Sequence, residues 1–243
     1  MRKPDVRRLP DDEKTRKNEW WVPGFGPRRF RLLVGLSFFP YSLMNASYVL
    51  IGSLLAHPVH FDRMVGMMVV YLLAVGVTAH SLDAMAPNKP WGDFLSKRQL
   101  LALAIVGLIP ALALGLYYAV TSAPLLLPLG VVELFFLLAY NLELFGGRFH
   151  TNTWFAFSWG FLPVLAGFVV QTDLINLTSL AGGMFGFFTA FIEINASRPY
   201  KVMKKDQSQS ASPVVPRLES VLKGVVASVL AVAAFLLFLA IFD

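Results

Sequence analysis

Seven long apolar stretches, at about 32–56, 64–83, 99–120, 123–144, 153–170, 175–195 and 218–242, run through this chain and leave little sequence between them. Each approaches the roughly 20 apolar residues that an α-helix needs to cross a hydrocarbon core about 30 Å thick. With 243 residues, 56% of them hydrophobic and only 15% charged, one soluble core cannot hide so much apolar surface. Lipid is then the solvent, and in lipid each backbone N–H and C=O must be satisfied internally, which selects helices. The expected fold is an all-α, polytopic membrane helix bundle of about seven transmembrane helices over residues 31–243. Residues 1–30, charged and broken by Pro4, Pro10, Pro23 and Pro27, read as a cytoplasmic or interfacial tail with no cleavable signal peptide.

The cations set the expected orientation. Ten Lys and Arg residues precede Leu32; Lys89, Lys97 and Arg98 follow the second stretch, Arg148 the fourth, and Arg198, Lys201, Lys204, Lys205 and Arg217 the sixth. The opposite connections hold only Arg63, while Lys223 falls inside the last stretch. This asymmetry predicts a multi-pass cell-membrane protein with its N-terminus cytoplasmic and its C-terminus on the other side. It also accounts for the net charge of +6 through attraction to anionic membrane lipids, with no nucleic acid required. The absence of cysteine excludes disulfides and thiolate chemistry.

Polar residues inside such stretches are costly and point to function. His80 and Asp83, three apart and so on one helical face, end the second stretch and lead to Asn88 and Lys89. Tyr140, Asn141 and Glu143 end the fourth, ahead of Gly146-Gly147-Arg148-Phe149-His150. Glu193, Asn195, Arg198 and Lys201 end the sixth. All three clusters fall on the cation-rich side, where folded helices can gather them into one mouth. Carboxylates from two helices suit Mg2+, and the cations suit phosphate. Glu133 lies within the fourth stretch, against a partner helix or a cavity. His57, His60 and Asp62 do not complete a metal set. Small residues at Gly160, Ala166, Gly167, Ala181, Gly182, Gly183 and Gly186 predict close helix crossings.

The run Ala139-Tyr140-Asn141-Leu142-Glu143 through Arg148, leading into Trp159-Gly160-Phe161-Leu162-Pro163-Val164-Leu165-Ala166-Gly167, resembles the UbiA superfamily of membrane prenyltransferases. Thr78 to Lys89 looks like that family's first acidic motif, and Glu193 to Lys201 stands in the place of its second. The chain departs from the pattern in several places. With Asp83 at the centre of Asn-x-x-x-Asp-x-x-x-Asp, Ala79 and Pro87 occupy the outer positions; Leu144 replaces the lysine paired with Tyr140; and Glu193, Asn195 and Ser197 stand where paired aspartates are usual. Seven spans also fall short of the family's eight or nine.

The resemblance implies transfer of an isoprenoid from its diphosphate to a lipid-soluble or aromatic acceptor. Asp83 and Glu193 would hold Mg2+, and Asp83 and Tyr140 would act at the reacting centre. His80, Asn88, Lys89, Asn141, Arg148, Asn195, Arg198 and Lys201 would contact the substrate. The missing aspartates keep a second expectation in view: a noncatalytic subunit that packs with partner subunits, or that holds a quinone, pigment or lipid.

Overall fold

The computed structural model describes residues 19–85, 95–206 and 210–242; within them every regular element is helical. Six helices are long and apolar enough to cross a membrane: α1 (Arg28–Leu54), α2 (Phe61–Ala84), α3 (Lys97–Thr121), α5 (Asn152–Thr172), α6 (Leu177–Lys205) and α7 (Val214–Phe242). The fourth expected stretch forms α4 (Leu126–Asn141), an apolar helix of 16 residues. It is about 24 Å long at 1.5 Å per residue.

Local signals explain the boundaries. Ser96 and Gln99 form a reciprocal cap at the start of α3, and Asn176 and Ser179 do the same for α6, so donors without helical partners are satisfied at both starts. The Thr151 hydroxyl accepts from the Trp154 amide at the start of α5. α1 breaks at Phe38, which is left-handed (φ 45°, ψ 43°), and restarts with Pro40 in its first turn, where proline's missing N–H costs nothing. α2 and α5 each contain a π-helical segment, Leu72–Ala79 and Phe157–Phe161. α6 continues through Pro199 to Lys205, ten residues beyond the apolar stretch. Arg198 and Lys201, placed by sequence in a connection, are therefore helical.

Packing divides the helices into centre and periphery. In the most apolar window of α1, 72% of residues are buried, and in that of α5, 67%; the figures for α3 and α7 are 22% and 17%. α1 crosses α5 where Gly52 lies against the Val164 carbonyl and Gly167 against the Val49 carbonyl, so that a Cβ at either glycine would overlap backbone. Gly160 of α5 and Gly186 of α6 meet in the same way. The Ser53 hydroxyl donates to the Gly167 carbonyl at 3.0 Å, filling the seam with a hydrogen bond as well as contact. The expected close crossings on the fifth and sixth stretches are thus present at Gly160, Gly167 and Gly186.

Residues 19–27 lie against the end of the bundle where the three polar clusters gather. Trp21 packs on Phe38 and Tyr41, and Trp20 on Tyr41. Glu19, only 6% exposed, receives Lys204 at 3.3 Å. Lys204 also reaches the Tyr200 hydroxyl at 2.6 Å, and that hydroxyl bonds Glu219 of α7. This segment ties α1, α6 and α7 together at one end.

Candidate functional site

Between α2, α3, α4 and α5 runs a cavity of about 440 Å³, the size of a small-ligand site. Its wall is mostly Leu, Val, Ala and Met, and it follows α4 from Leu126 and Leu127 to Tyr140 and Asn141. Both π-helical segments contribute, through Ala74, Val75 and Ala79 on α2 and Ser158 and Trp159 on α5. Such widened turns recur at functional sites. Gly115 and Gly130 also line the space, and a Cβ at either would meet nothing within 4 Å.

At one end the cavity meets a polar mouth built from three helix ends. The Tyr140 ring stacks on His150 with centroids 4.4 Å apart, and His150 Nδ1 lies 3.0 Å from the Tyr140 carbonyl. Arg198 donates to the His150 carbonyl at 3.0 Å and to the Tyr140 hydroxyl at 3.4 Å. Asp83 and Glu193 both lie within electrostatic reach of the Tyr140 hydroxyl. Tyr140 is thus the point where α2, α4 and α6 converge.

Glu193 is 4% exposed, hydrogen-bonded by Ser197 and paired electrostatically with Lys201. Glu193, Ser197, Tyr200, Lys201 and Lys204 follow helical spacing on one face of α6, which is why an extended α6 is needed to assemble them. The other Glu193 oxygen, Oε2, is buried without a hydrogen-bond partner among the described residues. A buried carboxylate oxygen left unpaired is costly, so this atom marks the place where a ligand or cation would be stabilised.

Aromatic rings connect the mouth across the helices. Phe38 stacks on His80 at 4.7 Å, His80 meets Trp159 at 5.7 Å, Trp159 stacks on Phe155 at 5.0 Å, and Phe155 meets Tyr140 at 5.6 Å. Lys201 lies over the Phe38 ring, 5.3 Å from its centroid, a cation–π geometry.

Several residues expected at the site are therefore together: Asp83, Tyr140, Glu193, Arg198 and Lys201 surround the mouth. His80 enters the aromatic row and lies 3.2 Å from the Ser42 hydroxyl. Asn141 lines the cavity, but its amide nitrogen donates back to the Leu137 carbonyl at 2.8 Å. Asn195 is exposed and accepts from Asn152 at 2.8 Å. Arg148 is exposed on the turn after α4, and His150, two positions further on, takes the place against Tyr140. Left-handed backbone at Phe145, Gly146 and Gly147 reverses the chain there. That reversal brings His150 back over the helix end it has just left. Asn88 and Lys89 lie outside the described residues.

Comparison with protein-family models, with curated proteins and with solved structures gives no match.

Proposed function

We propose that this chain is a divergent UbiA-like membrane prenyltransferase, holding an isoprenoid in the apolar cavity with its diphosphate at the Tyr140–Arg198 mouth. The observation that carries the reading is the direct junction of an elongated apolar cavity with a cluster of cations and carboxylates at Tyr140. A lipid tail and a charged head need these two environments side by side. In this reading α4 also crosses the membrane, the polar end faces the cytoplasm, and the seventh helix leaves the C-terminus on the opposite side.

Arg198 and Lys201 would offset the charge of the diphosphate as its bond to the allylic carbon breaks. The Tyr140 ring, held by His150 stacking, would face the cationic carbon. Among the described residues no group of three or more His, Cys, Asp or Glu could hold a metal ion, so Mg2+ would take Asp83 and Glu193 from the protein. An ion held there would supply positive charge against the leaving diphosphate. The unpartnered Glu193 Oε2 fits that role. Asn88 and Lys89 stand in this proposal on the phosphate side.

The small number of carboxylates favours one other reading, a noncatalytic protein that holds a quinone, pigment or lipid within a larger membrane assembly. Incubating purified protein in nanodiscs with radiolabelled geranylgeranyl diphosphate, Mg2+ and lipid-soluble aromatic acceptors separates the two. Label in an acceptor, lost in Asp83→Ala and Glu193→Ala, supports transfer. Tight binding with no labelled product and no effect of Mg2+ supports the holder.

A further inference from the structure

Halfway along the apolar cavity stands a polar pair that the mouth does not use. Glu133 of α4 and Tyr71 of α2 both line the space, and the Tyr71 hydroxyl donates to Glu133 Oε1. Tyr140 follows Glu133 by seven positions, which is two helical turns. The two side chains therefore share a face of α4 and lie about 10 Å apart along its axis. Around Glu133 the wall is Leu129, Gly130, Leu134, Leu137, Val70 and Ala74, surroundings in which a carboxyl group is expensive.

We propose that Glu133 and Tyr71 form a recognition site for the acceptor, and that the acceptor is a lipid-soluble compound carrying a hydroxyl group on an otherwise apolar body. Tyr71 spends its single donor on Glu133, so what the pair presents to the cavity is a carboxyl acceptor oxygen. Among the described residues Glu133 makes no other hydrogen bond, and it is the one acidic or basic side chain lining the cavity. A bare isoprenoid tail offers this oxygen nothing. A hydroxyl donates to it and removes the cost of leaving it unpaired. Of the other polar liners, Ser158 donates to the Trp154 carbonyl and Asn141, two turns away beside Tyr140, to the Leu137 carbonyl. The Trp159 indole N–H, buried without a partner among the described residues, is a donor and cannot take a hydroxyl's hydrogen. Beside Gly115 and Gly130 a Cβ would meet nothing within 4 Å, so the cavity is open at this level.

The inference rests on the prenyltransferase reading for the ligand's role as acceptor, but its binding chemistry is measured separately. Equilibrium binding of radiolabelled para-dodecylphenol and of its methyl ether to the full chain in nanodiscs compares two probes that differ in one donor. The phenol is expected to bind about tenfold more tightly, the scale of one buried hydrogen bond. Glu133→Leu abolishes that preference and Glu133→Gln, whose amide oxygen still accepts, keeps part of it. Tyr71→Phe keeps the preference, because it removes the contact between α2 and α4 without removing the acceptor; a purely structural clamp predicts no such pattern. Equal affinities for phenol and ether in the unaltered protein, or an unchanged preference in Glu133→Leu, overturn the proposal. If Glu133→Leu does not fold, the ratio in the unaltered protein alone decides. Phenol preference without any transfer from geranylgeranyl diphosphate would uphold this site and overturn the reading of transfer.

Discussion

On one side of the bundle, α1, α5 and α6 meet backbone to backbone through glycines that leave no room for a Cβ. On the other, α3 and α4 stand around a cavity in which two glycines face open space. The same residue type serves opposite ends. At Gly52, Gly160 and Gly167 it removes volume so that helices can close; at Gly115 and Gly130 it leaves space open along the cavity. In lipid no hydrophobic force distinguishes protein from solvent, so close contact and interhelical hydrogen bonds hold such a bundle together. The tight side carries the stability, and the loose side is free to carry a ligand. α3 joins both: Gly107 closes on Thr78 and Leu73 of α2, while Gly115, two turns along, lines the cavity.

The contrast breaks most readily at the tight crossings. Gly52→Leu would drive a side chain into the Val164 carbonyl, and overpacking against backbone costs at least about 3 kcal/mol. Loss of the monodisperse peak in size-exclusion chromatography, with a marked fall in Tm, is the expected outcome. The next largest effect falls at the mouth. Arg198→Ala removes two hydrogen bonds from a charged donor and is expected to weaken geranylgeranyl diphosphate binding ten- to a hundredfold, about 1.5–3 kcal/mol, with little change in Tm.

Lys204→Ala separates the bundle from residues 19–27. It leaves the buried Glu19 carboxylate without its part-exposed Lys204 partner, and a loss of about 1–2 kcal/mol should appear as faster proteolysis near Trp20 and Trp21 with diphosphate binding intact. The smallest effect on stability is expected at Gly130→Leu. A better helix former in open space should stabilise α4 by about 0.5–1 kcal/mol, yet it fills the cavity and should abolish binding of long isoprenoids. Stability up with binding down is the signature of the loose side; stability down would place Gly130 with the tight one.

Much of this division was visible in the sequence, for reasons that are local. All seven stretches appear as helices, six of them long and apolar enough to cross a membrane and the fourth shorter, at 16 residues. The crossings at Gly160, Gly167 and Gly186 followed from small residues inside apolar runs. Tyr140, Asp83 and Glu193 were legible because polar groups at the ends of apolar stretches have few other reasons to be there. Other features were not. The sixth apolar stretch ends at 195, whereas α6 continues through Pro199 and carries Arg198 to the mouth. His150 supplanted Arg148 because the turn geometry at Phe145–Gly147, not charge, decides which side chain returns to Tyr140. The link from Tyr71 to Glu133 spans 62 residues, and no periodicity within either helix encodes it. The left-handed break at Phe38 and the two π-helical segments likewise depend on tertiary contacts.

The proposed function puts an isoprenoid in the apolar cavity along α4, with its charged head at Tyr140. A prenyl diphosphate bearing a photoactivatable diazirine on its tail, crosslinked to the protein in nanodiscs and mapped by mass spectrometry, tests it most directly. Labels on Leu126–Asn141 and on the facing residues of Lys97–Thr121, competed away by unlabelled geranylgeranyl diphosphate and lost in Gly130→Leu, are the predicted result. Labels spread over the lipid-facing surface of Val214–Phe242 and indifferent to competitor would contradict it.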